Sequence, residues 1–278
     1  MANEEYLLSS EGARIILGIG ESAGIEISLD LNISAVEVSV SDKGLALPGG
    51  RIVERSELEE IAGKKKRIYS LKPDGSEPLE IAGEHYYKLS PTAGAPTLEI
   101  DGIQMHRTSG IDPFEDARQK TEGTVRPGNQ VLDTCGGLGY TAIWSARLGA
   151  SKVVSVEICP EVRELRKRNP WSADLYQKPI ELANADMFEY IRTFEDASFD
   201  SVIHDPPRFS LAGELYGSAF YEQICRILKP GGLLFHYTGT PYSRRGERDF
   251  PGEVSRRLAA AGLRARREPD KLGVSARK

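Results

Sequence analysis

Two stretches near the start of the chain alternate apolar and polar residues: Ile25-Glu26-Ile27-Ser28-Leu29 and Ala35-Val36-Glu37-Val38-Ser39-Val40. This is the period-2 pattern of a half-buried sheet. Turn residues follow at Asp42-Lys43-Gly44 and Pro48-Gly49-Gly50. Ser56-Glu57-Leu58-Glu59-Glu60-Ile61 reads as one short helix capped by Ser56, and residues 68–87 as further short strands. The pattern predicts a small β-rich domain over residues 1–105.

The rhythm then changes. Asp112-Pro113-Phe114-Glu115 combines an N-cap, a first-turn proline and a carboxylate at the third helical position, which predicts a helix to about Glu122. Arg126-Pro127-Gly128-Asn129 turns the chain into a second domain, expected over residues 106–278. Strands are expected over 130–135, 152–158, 180–183, 199–204 and 233–237. Helices are expected over 140–148, 160–168, 187–194 (with Asp186 as a cap), 212–228 and 254–261. Such alternation is the signature of a parallel α/β sheet. Residues 263–267 and 272–276 form a candidate closing antiparallel hairpin.

Length and composition change this picture little. A chain of 278 residues suggests two domains. With 40% apolar and 28% charged residues it has the balance of a globular protein. No run approaches the roughly 20 apolar residues that span a bilayer, so no membrane contact is expected. The acidic start, Met1-Ala2-Asn3-Glu4-Glu5, lacks a secretory pattern, and a cytoplasmic protein is expected. Cys135, Cys159 and Cys225 show no CxxC spacing, which points to reduced thiols and no bound metal.

Charge adds more. Residues 1–105 carry a net −8 and residues 106–278 a net +3, and the stretch 244–278 holds 11 Lys/Arg against 5 Asp/Glu. This basic C-terminal segment is a candidate for contact with nucleic acid. A solvated helix face with an edge strand guarded by its charges accounts for the same composition.

The candidate chemistry lies at the predicted strand ends. Strand Val131-Leu132-Asp133 runs into Thr134-Cys135-Gly136-Gly137-Leu138-Gly139, where glycines permit a tight turn and close approach to a ligand. Glu157 ends the second strand, where a carboxylate can accept two ribose hydroxyls. Asn184-Ala185-Asp186 ends the third strand and His204-Asp205-Pro206-Pro207 the fourth. Open α/β sheets bind ligands at this carboxyl edge. Asp186 as a helix cap and Glu157 as a solvated strand end have separate structural explanations, which do not account for all four positions in this order.

Asp133 to Gly139, Glu157, Ala185-Asp186, Asp205-Pro206-Pro207 and Lys229-Pro230-Gly231-Gly232 together resemble the successive motifs of class I S-adenosylmethionine-dependent methyltransferases. Within that superfamily the chain resembles an archaeal group of predicted methyltransferases with no assigned substrate. The resemblance implies a Rossmann-like, seven-stranded α/β methyltransferase sheet after the small N-terminal β-rich domain, with S-adenosylmethionine as cofactor. It implies that Gly136, Gly137 and Gly139 pass beneath the methionine part of the cofactor, with Asp133 near its amino group. Glu157 would hold the ribose, and Ala185-Asp186 the adenine. The loop is not GxGxxG, so NAD fits less well.

The acceptor end is less specific. In amino-methylating relatives an Asp/Asn-Pro-Pro-aromatic motif presents oxygens to an amine, but here Arg208 takes the aromatic's place and Phe209 follows it. Asp205 and His204 are the candidate catalytic residues, and Pro206, Pro207, Arg208 and His236 the candidate substrate contacts. Asp-Pro-Pro-Arg also resembles RNA methyltransferases acting on pyrimidine C5. Those need a nucleophilic cysteine near the active edge, and no cysteine follows the fourth or fifth strand. His106, His204 and His236 are each readable as a proton acceptor near neutral pH or as a hydrogen-bonded structural group. The acceptor stays open among RNA, protein and small molecules. Leu98-Glu99-Ile100-Asp101-Gly102-Ile103-Gln104 resembles the lead-in strand of spermidine-synthase-type aminopropyltransferases. That likeness leaves aminopropyl transfer from decarboxylated S-adenosylmethionine as the alternative, beside a non-catalytic cofactor-binding protein. The sequence carries no sign of oligomeric state.

Overall fold

The computed structural model describes residues 5–20, 22–209, 211–239 and 249–278. It divides into two compact units, Met1–Pro113 with Glu164–Trp171, and Phe114–Arg163 with Ser172–Lys278.

The second unit is built on seven strands: β1 (Gln130–Asp133), β2 (Lys152–Val156), β3 (Ile180–Ala183), β4 (Phe199–His204), β5 (Leu228–Tyr237), β6 (Arg264–Glu268) and β7 (Gly273–Arg277). Their order across the sheet is β3-β2-β1-β4-β5-β7-β6. The first five run parallel, and β7 is antiparallel to both β5 and β6. This is the Rossmann-like sheet that the strand–helix alternation predicts, closed by the expected hairpin. Central strands β1, β2 and β4 are almost continuously buried, as parallel strands covered on both faces must be.

Helix Ser218–Ile227 buries Phe220, Tyr221, Ile224 and Ile227, a stripe at helical spacing. They join Leu132, Val202 and Leu234 in one core. Each fully buried large apolar side chain there contributes about 1.5–3 kcal/mol. Helix Phe250–Ala260 adds Val254 and Leu258 to the core, and its Asp249 cap accepts the Gly252 N–H.

Several boundaries differ from the pattern reading. The helix expected from residue 212 begins at Ser218, after a 3-10 turn over Gly213–Tyr216. The helix expected over 187–194 is α-helical only over Met187–Tyr190, with Asp186 accepting the Phe188 N–H at its start. A 3-10 segment over Pro170–Tyr176 had no pattern to announce it.

The first unit holds two four-stranded sheets and one of three strands. Among the described residues before Pro113 there are two helices where the pattern gave one. Ser9 caps Ser10–Gly18 by accepting the Gly12 N–H. The other helix, Arg55–Gly63, has Glu54 as its N-cap, so Ser56 lies inside the first turn rather than capping it. Both helices contribute to one apolar core, through Ala13, Ile16, Leu58 and Ile61. Among the described residues no helix is long and apolar enough to cross a membrane.

Candidate functional site

Parallel register brings the ends of β1 to β5 to one edge. Asp133 lies opposite Ser155 and Ile203, Val156 opposite Ala183, and His204 opposite His236. Asp133, Glu157, Ala185-Asp186 and Asp205 therefore all fall at or just past that edge.

The glycine loop folds back against β2. Gly136 N–H donates to Val156 O at 2.7 Å, and Gly139 N–H to Gly136 O at 2.7 Å. Gly137 has φ +50°, and a Cβ built there meets nothing within 4 Å, so the loop borders open space. Gly139, at φ +87°, opens helix Tyr140–Arg147, and a Cβ there would lie 2.6 Å from Leu175 Cδ2. Half-buried Glu157 faces this loop. Its Oε2 accepts the Gly137 N–H and its Oε1 the Cys159 N–H, both at 2.8 Å. Each carboxylate oxygen has two acceptor sites, so these bonds are compatible with holding ribose hydroxyls. An open cradle beside glycine, bordered by a carboxylate, fits a nucleoside-bearing cofactor. Ala185 is half-buried and Asp186 exposed.

Asp133 sits differently from the expectation. It is fully buried, its Oδ1 accepting the Thr141 hydroxyl at 2.9 Å and its Oδ2 the Ser155 hydroxyl at 2.7 Å. Burial pushes its carboxyl up to about 6; the two hydroxyls pull it down, and Asp205 and Glu157 push it further up. It braces helix Tyr140–Arg147 against β2.

At the end of β4 the Asp205 carboxylate meets Lys120, which sequence reasoning did not single out. Lys120 lies on helix Pro113–Thr121 and is 1% exposed. Its Nζ donates to Asp205 Oδ2 at 2.7 Å and pairs with Asp116 Oδ2 at 2.8 Å. It also stands 3.8 Å from the centre of the Tyr237 ring, a cation–π contact. Burial works to lower the lysine's pKa, but Asp205, Asp116 and Tyr237 together raise it, so the ammonium stays charged. The i, i+4 spacing of Asp116 and Lys120 is the one signal the sequence held.

Pro206 is buried and Pro207 half-buried. The Tyr216 hydroxyl donates to Pro207 O at 2.8 Å, which fixes a turn already stiffened by two prolines. Arg208 and Phe209 are exposed beside it.

The histidines are enclosed. His204 is fully buried, with Nε2 3.0 Å from Leu215 O and Nδ1 2.7 Å from Thr134 Oγ1. A carbonyl only accepts, so Nε2 carries the proton and Nδ1 accepts from Thr134. Burial lowers its pKa to about 3, leaving the ring neutral. His236 is also fully buried, bonded through Nε2 to the Tyr221 hydroxyl at 2.9 Å and packed 4.3 Å from the His204 ring. Burial, then His204, holds its pKa well below the usual range. His204 as a catalytic group and His236 as a substrate contact are therefore revised, because neither ring is open to an acceptor. His106, in the first unit, contacts Thr97 Oγ1 through Nδ1 at 3.1 Å. Burial, then Glu157, raises Cys135 well above its ordinary value, so its thiol is not an activated nucleophile.

Comparison with known proteins places this geometry. A family described as "Methyltransferase domain" matches residues 131–232. The chain is 42% identical to the uncharacterized protein MJ1233 of Methanocaldococcus jannaschii, over 97% of this chain and 94% of that one. It is 27% identical to ribosomal RNA large subunit methyltransferase I of Photobacterium profundum over 78% of this chain, and spans about half that enzyme's length (53%). Among solved structures, a spermidine synthase in complex with the transition state analogue AdoDATO aligns with TM-score 0.58, 75% of this chain and 77% of that one. At 19% identity that likeness is one of fold.

Proposed function

We propose that this chain, which belongs to the class I S-adenosylmethionine-dependent methyltransferase superfamily, transfers a methyl group to an acceptor brought to the end of β4, and that the acceptor is RNA. S-adenosylmethionine is the cofactor, and the coarse activity is group transfer from a sulfonium donor. When bound, it supplies an electrophilic carbon on sulfur, open to in-line displacement.

The remaining work falls to the chain. The Gly136–Gly139 loop and Glu157 bind the donor, with Ala185 and Asp186 beside the base. Asp205 is held by Lys120 through Oδ2, and its Oδ1 makes no hydrogen bond among the described residues. That oxygen is the proposed partner for the acceptor's proton-bearing group, and alignment by a stiff turn is worth most in such displacements. Pro206, Pro207 and Arg208 form the wall against which the acceptor lies. His204 and His236 act as positioning residues, packing β4 against β5.

The observation that carries methyl over aminopropyl transfer is the Lys120–Asp205 pair. A polycationic amine needs carboxylates whose charge is unmet, whereas here the carboxylate following β4 is matched by a buried ammonium and flanked by exposed Arg208. Lys120, Asp116, Asp205 and Arg208 sum to zero, so the acceptor end offers no net negative charge to hold a polycation. The name of the Photobacterium relative and the basic segment 244–278 support RNA; residues 244–248 of that segment lie outside the described residues. Methyl transfer through a cysteine adduct has no support, since half-buried Cys135 lies in the cofactor loop with its thiol held protonated, Cys159 follows β2 and Cys225 lies within helix Ser218–Ile227.

Aminopropyl transfer from the decarboxylated donor to an amine is the second reading. The fold likeness favours it more than it favours the first, because the alignment over three-quarters of the chain is to a spermidine synthase. One experiment separates them. Purified protein is given methyl-labelled S-adenosylmethionine with fractionated RNA, protein and metabolites. In parallel it is given decarboxylated S-adenosylmethionine with putrescine and with spermidine. Label in RNA supports the proposal. Product formed only from the decarboxylated donor and an amine overturns it.

A further inference from the structure

On one face of the β6–β7 hairpin, Arg264 stands directly opposite Arg277. Like charges in opposed cross-strand positions destabilise a sheet, so this pairing needs a compensating group. Arg266 lies two residues along the same face of β6. Arg126, from the turn before β1, and Lys271, from the turn between β6 and β7, complete the basic lining of one cleft of about 370 Å³.

The charges in this cleft are unevenly matched. Arg266 pairs with Glu268 at 2.5 Å, and the Lys271 ammonium donates to Glu122 O at 2.7 Å. Among the described residues no carboxylate forms an ion pair with Arg126, Arg264 or Arg277, whereas Arg267, on the opposite face of β6, is paired with Asp249. Edge-strand protection accounts for arginines on the outermost strand β6. It does not account for Arg277 on β7, an interior strand, or for Arg126 on a turn. A local rule broken without gain to the fold marks a functional feature.

We propose that this cleft binds the phosphate backbone of a single RNA strand and docks the substrate away from the reacting edge. Arg277 lies opposite Leu233, four residues along β5 from Tyr237, or about 13 Å at the usual strand rise. Guanidinium groups bind phosphate oxygens through paired N–H donors, and a positively charged groove tracking the backbone is how single strands are held without sequence preference. The choice of RNA among polyanions rests on the acceptor class proposed above; the anion-binding cleft does not.

The test is fluorescence anisotropy with a fluorescein-labelled, mixed-sequence single-stranded RNA of about twenty nucleotides, titrated at several salt concentrations. Wild-type protein should bind with affinity falling as salt rises. R264E/R277E should bind at least tenfold more weakly, with a salt slope shallower by about 1.4, at roughly 0.7 per lost phosphate contact. R264K/R277K, which keeps the charge but loses the paired donors, should bind between wild type and R264E/R277E with the wild-type salt slope, and R192E, on an exposed helix turn, should match wild type. Unchanged S-adenosylmethionine binding by R264E/R277E would establish that its fold is intact. Equal RNA binding by wild type and R264E/R277E, or no binding by wild type at low salt, overturns the proposal. So does preference for phosphatidylserine vesicles over RNA when the same variant abolishes it. Methyl-label incorporation is measured separately, so RNA bound but never labelled counts against the acceptor reading and not against the cleft.

Discussion

Lys120 Nζ lies 2.7 Å from Asp205 Oδ2, and this bond joins the helix before the sheet to the residue that follows β4. The lysine side chain is 2% exposed, its second partner Asp116 is 2% and Asp205 is 15%. A buried ammonium between two carboxylates is a net of strong attractions offset by desolvation of all three groups. Removing the cation alone leaves two carboxylates close together with nothing between them. Lys120→Met should therefore lower stability by about 3–5 kcal/mol, and the neutral combination Lys120→Met, Asp116→Asn, Asp205→Asn should recover much of the loss. Urea unfolding of the three proteins measures this; a loss below about 1 kcal/mol for Lys120→Met would show the pair to be energetically idle.

Glu157 offers a cleaner test of the cofactor cradle, because it is half-buried and accepts the backbone amides of Gly137 and Cys159. Glu157→Ala should weaken S-adenosylmethionine binding by about 1–3 kcal/mol, roughly fivefold to more than a hundredfold, as ribose hydroxyls lose a charged acceptor. Calorimetry with the donor and with its demethylated product reads this directly. Binding within twofold of wild type would remove Glu157 from the site.

Asp133 predicts a pH effect of defined sign. Its folded value of about 6 lies above its ordinary 3.8, chiefly through burial. The protonated form is thus favoured in the fold, and the stability it gives is complete below about pH 3.8 and lost as pH rises through 6. Two units correspond to on the order of 3 kcal/mol. His204, lowered to about 3 by burial, acts in the opposite sense: its contribution is complete above 6.5 and is lost as pH falls toward 3. The windows overlap, so the difference between wild type and Asp133→Asn isolates the carboxyl. That difference in unfolding free energy should shift against wild type as pH rises from 4 to 7. A flat difference would mean Asp133 titrates normally.

The sheet was readable because strand endings and chemistry coincided. Glycine, Glu157, Asp186 and Asp205 mark four successive strand ends, and helical spacing filled the intervals. Lys120 was not readable. Lysine is almost never fully buried unless paired, and its partner Asp205 lies 85 residues away. The same distance problem hid the Tyr216–Pro207 bond and the closure of both histidines. In the first unit no pattern announced helix Ser10–Gly18, which the Ser9 cap and the buried triplet Ser10, Ala13 and Ile16 define. Ser56 misled for the reverse reason: it has cap chemistry, but the helix had already begun at Arg55.

Asp205 is where binding and turnover should part. Its Oδ2 is committed to Lys120, the Pro206-Pro207 turn is held by the Tyr216 hydroxyl, and Oδ1 faces no described donor. None of these contacts involves the glycine loop or Glu157. Interactions that matter mainly in the transition state change turnover more than ground-state affinity. Asp205→Asn keeps the side chain's shape but removes its charge. It should leave S-adenosylmethionine affinity within about threefold and cut methyl transfer by roughly 10²-fold or more, the range of a positioned acid–base group. The variant also leaves Lys120 with Asp116 alone, so some loss of stability is expected, and turnover must be compared per folded molecule. Rates measured under saturating donor, with the folded fraction fixed by circular dichroism, separate the two effects. If the folded Asp205→Asn protein turns over at the wild-type rate, Asp205 serves only to hold Lys120, and the acceptor's proton must leave by another route.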